Sequence, residues 1–321
     1  MKILDKLKIY FATIHIKYLM FSFSITSLLT IFILLIFIVD FNKDPYAHNN
    51  SMDLNNKNKS HAISPTKFQP VNNKKSIHNF NRNYEVTQTS QIANQIRIPV
   101  LAYHHIDSIP SNVDIRSYYV TPTMFEQQLR YIYDKRYKTI TPKEFYEILQ
   151  SGKNPKQKTI MLSFDDGHYD NYKNAFPILL KYHMVGVFYI YTNRLFISKE
   201  QLQEMSEAGM IIESHSASHT DLTRIADNAR MDFELVGSKL SLEKITGKRI
   251  VSFAYPGCAA NEYVRYLLSE ADYKLGFSCG KGIDHSMSNR YMISRVHVFN
   301  DLASFQKRLS GVWEATRYDR E

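Results

Sequence analysis

The chain has 321 residues, 44% hydrophobic and 22% charged, and two cysteines, which excludes a small disulfide-built scaffold and leaves either one bridge or two free thiols. Its formal charge of +9 suits work near anionic membrane and wall polymers. No basic motif with interleaved aromatics points to nucleic acid, so that class of partner is set aside.

In chain order, residues 1–17 form a basic flank carrying Lys2, Lys6, Lys8 and Lys17. Residues 18–40 follow, with an uncharged apolar stretch from Tyr18 to Val39. A run of about 20 apolar residues can cross a bilayer. The basic side stays cytoplasmic, so a single-pass anchor with the remaining chain outside the cell is expected. A cleaved signal sequence, giving a secreted protein, is the alternative, but it would use a shorter core and a small-x-small site, and no Ala-x-Ala follows Val39. Residues 41–95 are rich in Asn, Lys, Ser, His and Gln and read as a disordered tether. Their scattered His48, His61 and His78 lack ligand spacing.

Residues 96–321 have the composition of one large domain. Short apolar runs that read as strands recur at Ile98–Tyr103, Thr159–Phe164, Gly186–Tyr191, Met210–Glu213, Ile250–Tyr255, Lys274–Ser278 and Tyr291–Val298, with a weaker one at Lys138–Ile140. Amphipathic helical spacing fills most of the gaps. Thr121-Pro122 and Thr141-Pro142-Lys143-Glu144 read as helix starts, the second as a capping box; Gly152 and Gly247 read as helix stops. This alternation predicts an α/β fold: a (β/α) barrel of about seven units, complete or incomplete, with an open doubly wound sheet as the alternative.

Polar residues collect at the ends of these strands. His104 and His105 follow the first, Asp165 and Asp166 the second, and His215 and His219 the fourth, while Tyr255-Pro256-Gly257 closes the fifth. In a parallel barrel all strand C-termini share one rim, so these groups converge. Singly, Asp-Asp-Gly is a turn and each histidine is ordinary. Together, one carboxylate and two imidazoles form a three-ligand set with an open position, the arrangement of a catalytic metal site. Zn²⁺ is the default for such a set, with Co, Ni, Mn or Fe as alternatives.

Ser163-Phe164-Asp165-Asp166-Gly167 and His215-Ser216-Ala217-Ser218-His219 resemble the first two motifs of the NodB-type polysaccharide deacetylases of the fourth carbohydrate esterase family. Phe253-Ala254-Tyr255-Pro256 resembles the third, and Pro99 to Ile106 is similar to the opening of the poly-β-1,6-N-acetylglucosamine deacetylase branch. The resemblance implies Asp166, His215 and His219 as metal ligands and Asp165 as general base. It further implies the Tyr255 N–H as an oxyanion donor and His104 as general acid, with His105 and His297 as rival acids. Many relatives orient the base with a motif-three arginine. Val251-Ser252-Phe253 offers none, and Arg295 is the candidate to replace it from another strand. The implied activity is hydrolysis of N-acetyl groups on extracellular poly-β-1,6-N-acetylglucosamine during biofilm polymer maturation, by a monomeric catalytic domain. A peptidoglycan or chitin-type deacetylase is the enzymatic alternative, and a carbohydrate-binding module with a vestigial site the non-enzymatic one. Cys258, beside the site, is expected to be inert or bridged rather than reactive, and the tyrosines and Trp313 offer packing or sugar-stacking faces.

Overall fold

The computed structural model describes residues 95–111 and 115–312. The expected flank, anchor and tether, and Trp313, lie outside the described residues. Among the described residues no helix is long and apolar enough to cross a membrane.

Seven strands form the barrel: β1 (Val100–Tyr103), β2 (Thr159–Phe164), β3 (Gly186–Ile190), β4 (Ile211–Ser214), β5 (Ser252–Ala254), β6 (Leu275–Cys279) and β7 (Ile293–His297). Each pairs in parallel with the next along the chain, and β7 pairs with β1 to close the ring. The β4–β5 seam is the thinnest, with the single register pair Ser214↔Phe253. The weaker run also forms a strand, Lys138–Thr139, which pairs with the first two residues of β2. The first strand starts later than expected. Pro99 has no N–H for a ladder, although its carbonyl still accepts from the Met161 N–H at 3.1 Å.

Helices cover the outside: α1 (Pro122–Asp134), α2 (Pro142–Ser151), α3 (Phe176–Lys181), α4 (Lys199–Glu207), α5 (Ser238–Thr246), α6 (Glu262–Glu270) and α7 (Leu302–Leu309). Local chemistry sets their ends. Thr121 caps α1 ahead of Pro122, Thr141 and Glu144 form a reciprocal capping box on α2, and Gly152 ends α2 in the left-handed conformation at φ 62°. The strand–helix alternation lapses between β6 and β7, where the chain makes only a short 3-10 turn at Met287–Asn289.

The period-two alternation of strands divides the core. Val100, Met161, Val187, Tyr189, Leu275, Phe277 and Ile293 fill the barrel, joined by Phe145 and Leu149 of α2. Their neighbours Leu101, Tyr103, Leu162, Phe164, Phe188 and Phe253 face outward onto the helices. Each such side chain, fully buried, contributes roughly 1.5–3 kcal/mol. The same parity decides which polar residues reach the mouth of the barrel.

Candidate active site

Counting by twos from the inward residues, Val100 leads to His104, Met161 to Ser163 and Asp165, and Ile293 to Arg295 and His297. These residues therefore meet at the C-terminal mouth, which the fold makes the natural place for chemistry.

Asp166, His215 and His219 are brought together there, each offering one ligand atom within 4.8 Å of the others. Asp166 Oδ1 lies 3.4 Å from His215 Nε2 and 3.1 Å from His219 Nε2, yet it is buried without a hydrogen bond. Three lone-pair groups thus face one another around an orphaned oxygen, which fits a divalent ion held by one carboxylate and two imidazoles. The ring orientations agree. His215 Nδ1 lies 2.7 Å from the Ala254 carbonyl, a contact that places the proton on Nδ1 and leaves Nε2 as the ligand atom. Burial by itself would raise the Asp166 pKa, but His168, His215 and His219 hold it far below the usual carboxylate range. Asp166 in turn raises the pKa of His219.

The ligand loops are bent to reach this geometry. Asp166, Ser216 and His219 have φ of 69°, 70° and 57°, a left-handed region that non-glycine residues rarely enter. Gly167, at φ 64°, allows the first loop to pass close to β3, since a Cβ there would lie 2.7 Å from Ile190 Cδ1. In the second loop the Ser216 hydroxyl accepts from the His219 N–H at 2.9 Å.

Asp165 is gripped by Arg295, Nη1 to Oδ1 at 2.6 Å and Nη2 to Oδ2 at 2.7 Å. Both residues are buried. Burial would raise the Asp165 pKa, but the Arg295 guanidinium and the nearby His215 outweigh it and hold the carboxylate below its ordinary value. Arg295 also reaches the Ser278 carbonyl and the Ser163 hydroxyl and lies over the Tyr189 ring. The arginine that holds Asp165 therefore comes from β7.

His104 lies beside these carboxylates. Its ring packs edge-on against Tyr118 at 4.8 Å, and its Nδ1 is buried without a partner. Burial pushes its pKa down to about 4, opposed most by the charge of Asp165. The rival histidines are engaged elsewhere. His105 Nδ1 pairs with Asp170 at 2.7 Å, and His297 Nε2 lies 2.8 Å from the Ser117 carbonyl.

Tyr255 does not take the place expected of it. Its N–H donates to the Phe277 carbonyl at 2.9 Å, within the sheet, and so is not free for an oxyanion. Its side chain falls on the outward parity, and its hydroxyl donates to the Tyr291 carbonyl at 2.8 Å. Cys258 is bridged to Cys279 rather than free.

One neighbour was assigned no role from sequence. His168 Nε2 lies 3.3 Å from Asp166 Oδ2, and its ring stacks on His105 at 3.7 Å. Its place directly after Asp-Asp-Gly was the only available signal.

Comparison with known proteins agrees with this geometry. Residues 152–276 match the polysaccharide deacetylase family, a span that holds Asp165, Asp166, His215 and His219 but not His104 or Arg295. The chain is 29% identical over 206 residues to the putative polysaccharide deacetylase YxkH of Bacillus subtilis, covering 63% of this chain and 71% of that protein. It is 29% identical over 208 residues to the poly-beta-1,6-N-acetyl-D-glucosamine N-deacetylase of Staphylococcus aureus (strain MRSA252), covering 60% and 71%. The structure of the Streptococcus pyogenes deacetylase PplD in complex with acetate superposes with a TM-score of 0.62 at 27% identity, covering 66% of this chain and 98% of that one. IcaB from Ammonifex degensii, at 21% identity and a TM-score of 0.58, shares the fold over 67% of this chain and 96% of its own. On these grounds residues 152–276 form a polysaccharide deacetylase domain, of a family of hydrolases acting on amide bonds.

Proposed function

We propose that the protein removes N-acetyl groups from poly-β-1,6-N-acetylglucosamine outside the cell, in maturation of an adhesive biofilm polymer. The observation that carries the chemistry is the carboxylate Asp165, clamped by Arg295 beside the Asp166–His215–His219 set. A binding module has no use for such a base. The staphylococcal relatives of that specificity, at 29% identity, support the choice of polymer.

Asp166, His215 and His219 would hold a divalent ion, Zn²⁺ by default. When bound, such an ion acidifies water and polarises the acetamide carbonyl. Asp165, kept ionised and oriented by Arg295, accepts the proton of the attacking water. His104 stands ready to protonate the departing amine. Its resting imidazole is neutral, with a pKa of about 4, so the proton it delivers is gained during turnover, passed on from the attacking water by way of Asp165. Water adds its oxygen to the acyl carbon, the C–N bond breaks, and the products are acetate and a free amine on the sugar.

The Cys258–Cys279 bridge favours an oxidising compartment and so supports an extracellular domain. The apolar stretch Tyr18–Val39 supplies the membrane anchor in this reading.

The test is acetate release by the full chain from β-1,6 and β-1,4 N-acetylglucosamine oligomers and from peptidoglycan, with and without a chelator. Release from the β-1,6 oligomer, lost on chelation and restored by zinc, is the expected result. Preferential release from β-1,4 chains or peptidoglycan would overturn the choice of polymer, and release undiminished by chelation would overturn the metal site.

A further inference from the structure

We propose that Glu234 is a positioning residue for the metal site, holding the loop that presents His219. This rests on the reading of Asp166, His215 and His219 as the ligand set. Glu234 is fully buried, 16 residues from the nearest loop residue that it bonds. Its Oε2 accepts from the Ala217 N–H at 3.0 Å and from the Ser218 N–H at 2.8 Å. Its Oε1 accepts from the Ser218 hydroxyl at 2.6 Å and pairs with Arg230 at 2.8 Å. One carboxylate thus occupies two consecutive backbone amides between the two ligand histidines.

Those amides need such a partner. Ser216 at φ 70° and His219 at φ 57° put the loop in a conformation that L-residues adopt at a cost, so it persists only where its surroundings over-determine it. The loop carbonyls are already engaged, Ser216 O by Thr192 N–H and Ala217 O by Asn193 N–H. Glu234 supplies the complementary acceptors, and charge-assisted bonds of this kind are the stronger ones. The helix itself is adapted to the task. Phe233–Gly237 is a π-helical segment between Asn228–Asp232 and α5, a distortion found often at functional sites. Ser238 ties the same segment to the end of β4 through Ser214, hydroxyl to hydroxyl at 2.8 Å. Without the carboxylate the loop relaxes, and His219 loses its place beside Asp166.

The test is zinc affinity of the full chain, by competition with a chromogenic chelator, alongside hydrogen exchange of the Ala217 and Ser218 amides in the metal-free protein. Glu234→Ala is expected to weaken zinc binding roughly 10–100-fold, the range typical for partners that orient ligands. Glu234→Gln keeps an oxygen for the two amides and is expected to recover most of the affinity. Leu129→Ala, on the buried face of α1, is expected to lower Tm while leaving zinc affinity intact. Native zinc affinity in Glu234→Ala, or an equal loss in Leu129→Ala, overturns the proposal. Should Glu234→Ala fail to fold, unprotected Ala217 and Ser218 amides in the native chain overturn it, and amides protected in both the native chain and Glu234→Gln support it. A native chain that binds no zinc overturns the metal reading itself, an outcome separate from all of these.

Discussion

Arg295 and Asp165, 130 residues apart in sequence, meet as a two-pronged ion pair inside the barrel mouth, with side chains only 1% and 5% exposed. Two parallel N–H···O bonds fix the carboxylate plane as well as its charge. Lysine would keep the charge and lose the second prong. Arg295→Lys is therefore expected to lower kcat about 10–100-fold with little change in KM, as for a lost orienting contact. Arg295→Met leaves a buried carboxylate unpaired, a loss of about 3–5 kcal/mol. Thermal melts should show Tm lower by roughly 10 °C. Unchanged kcat in the lysine variant would show that orientation of Asp165 does not matter.

Asp165→Asn separates the proposed base from the proposed ligands. The amide keeps the shape but cannot take a proton. Acetate release should fall by about 10²–10⁴-fold, the usual contribution of a general base, while zinc affinity stays native because Asp166, His215 and His219 are untouched. Chelator competition and an acetate assay on the same preparation check both halves.

His104→Gln tests the acid. With substrate bound in the same place, kcat should drop by about 10²-fold or more while KM moves little. A parallel change in kcat and KM would instead assign His104 to binding, together with Tyr118 against its ring.

The barrel was legible because each of its strands is buried on both faces and so appears as a short apolar run. Val100–Tyr103 and Thr159–Phe164 are buried throughout. The Asp166, His215 and His219 cluster was legible because Asp165-Asp166-Gly167 and His215-to-His219 are contiguous in sequence. Where assignment failed, direction was at issue rather than identity. Tyr255 stands at the right strand end but on the outward parity, with its N–H inside the ladder to Phe277. Glu234 was invisible because its link to Ala217 and Ser218 depends on a π-turn that shifts the helix face by a residue. Arg295 could be named only as a replacement for an arginine missing elsewhere, and a lone arginine in a strand does not show which carboxylate it will meet.

His285 is a source of acid sensitivity in the fold at a point away from the mouth of the barrel. It is buried with Nδ1 unpartnered, Nε2 lies 3.0 Å from the Ile98 carbonyl, and burial lowers its pKa to about 4. The unfolded chain takes up this proton near pH 6.5, whereas the folded chain refuses it until about pH 4. The unfolded state thus binds more protons in that window, so stability is complete above it and falls as pH drops through it, by about 3 kcal/mol in total. His285→Gln can keep the donor to Ile98 and has no proton to gain. Its stability should vary less between pH 7 and 4 than that of the native chain. Denaturant melts at a series of pH values check this, and parallel curves for the two proteins would remove His285 as the cause.

The Cys258–Cys279 bridge joins the turn after β5 to the end of β6 across a separation of 21 residues. Closing a loop of that size restricts the unfolded chain by about 3 kcal/mol. Reduction, or the double substitution Cys258→Ser with Cys279→Ser, should therefore lower Tm by roughly 6–12 °C. The effect should also reach the catalytic groups. The Cys258 carbonyl accepts from the Ser278 hydroxyl at 2.8 Å, the Ser278 carbonyl accepts from Arg295 Nε at 3.4 Å, and the Gly280 N–H donates to the Arg295 carbonyl at 3.1 Å. Slack in this turn passes to the arginine that holds Asp165, so kcat should fall along with stability, and more than KM rises. Thiol titration under denaturing conditions, before and after reduction, establishes the bridge. A reduced enzyme with native kcat would confine its role to stability.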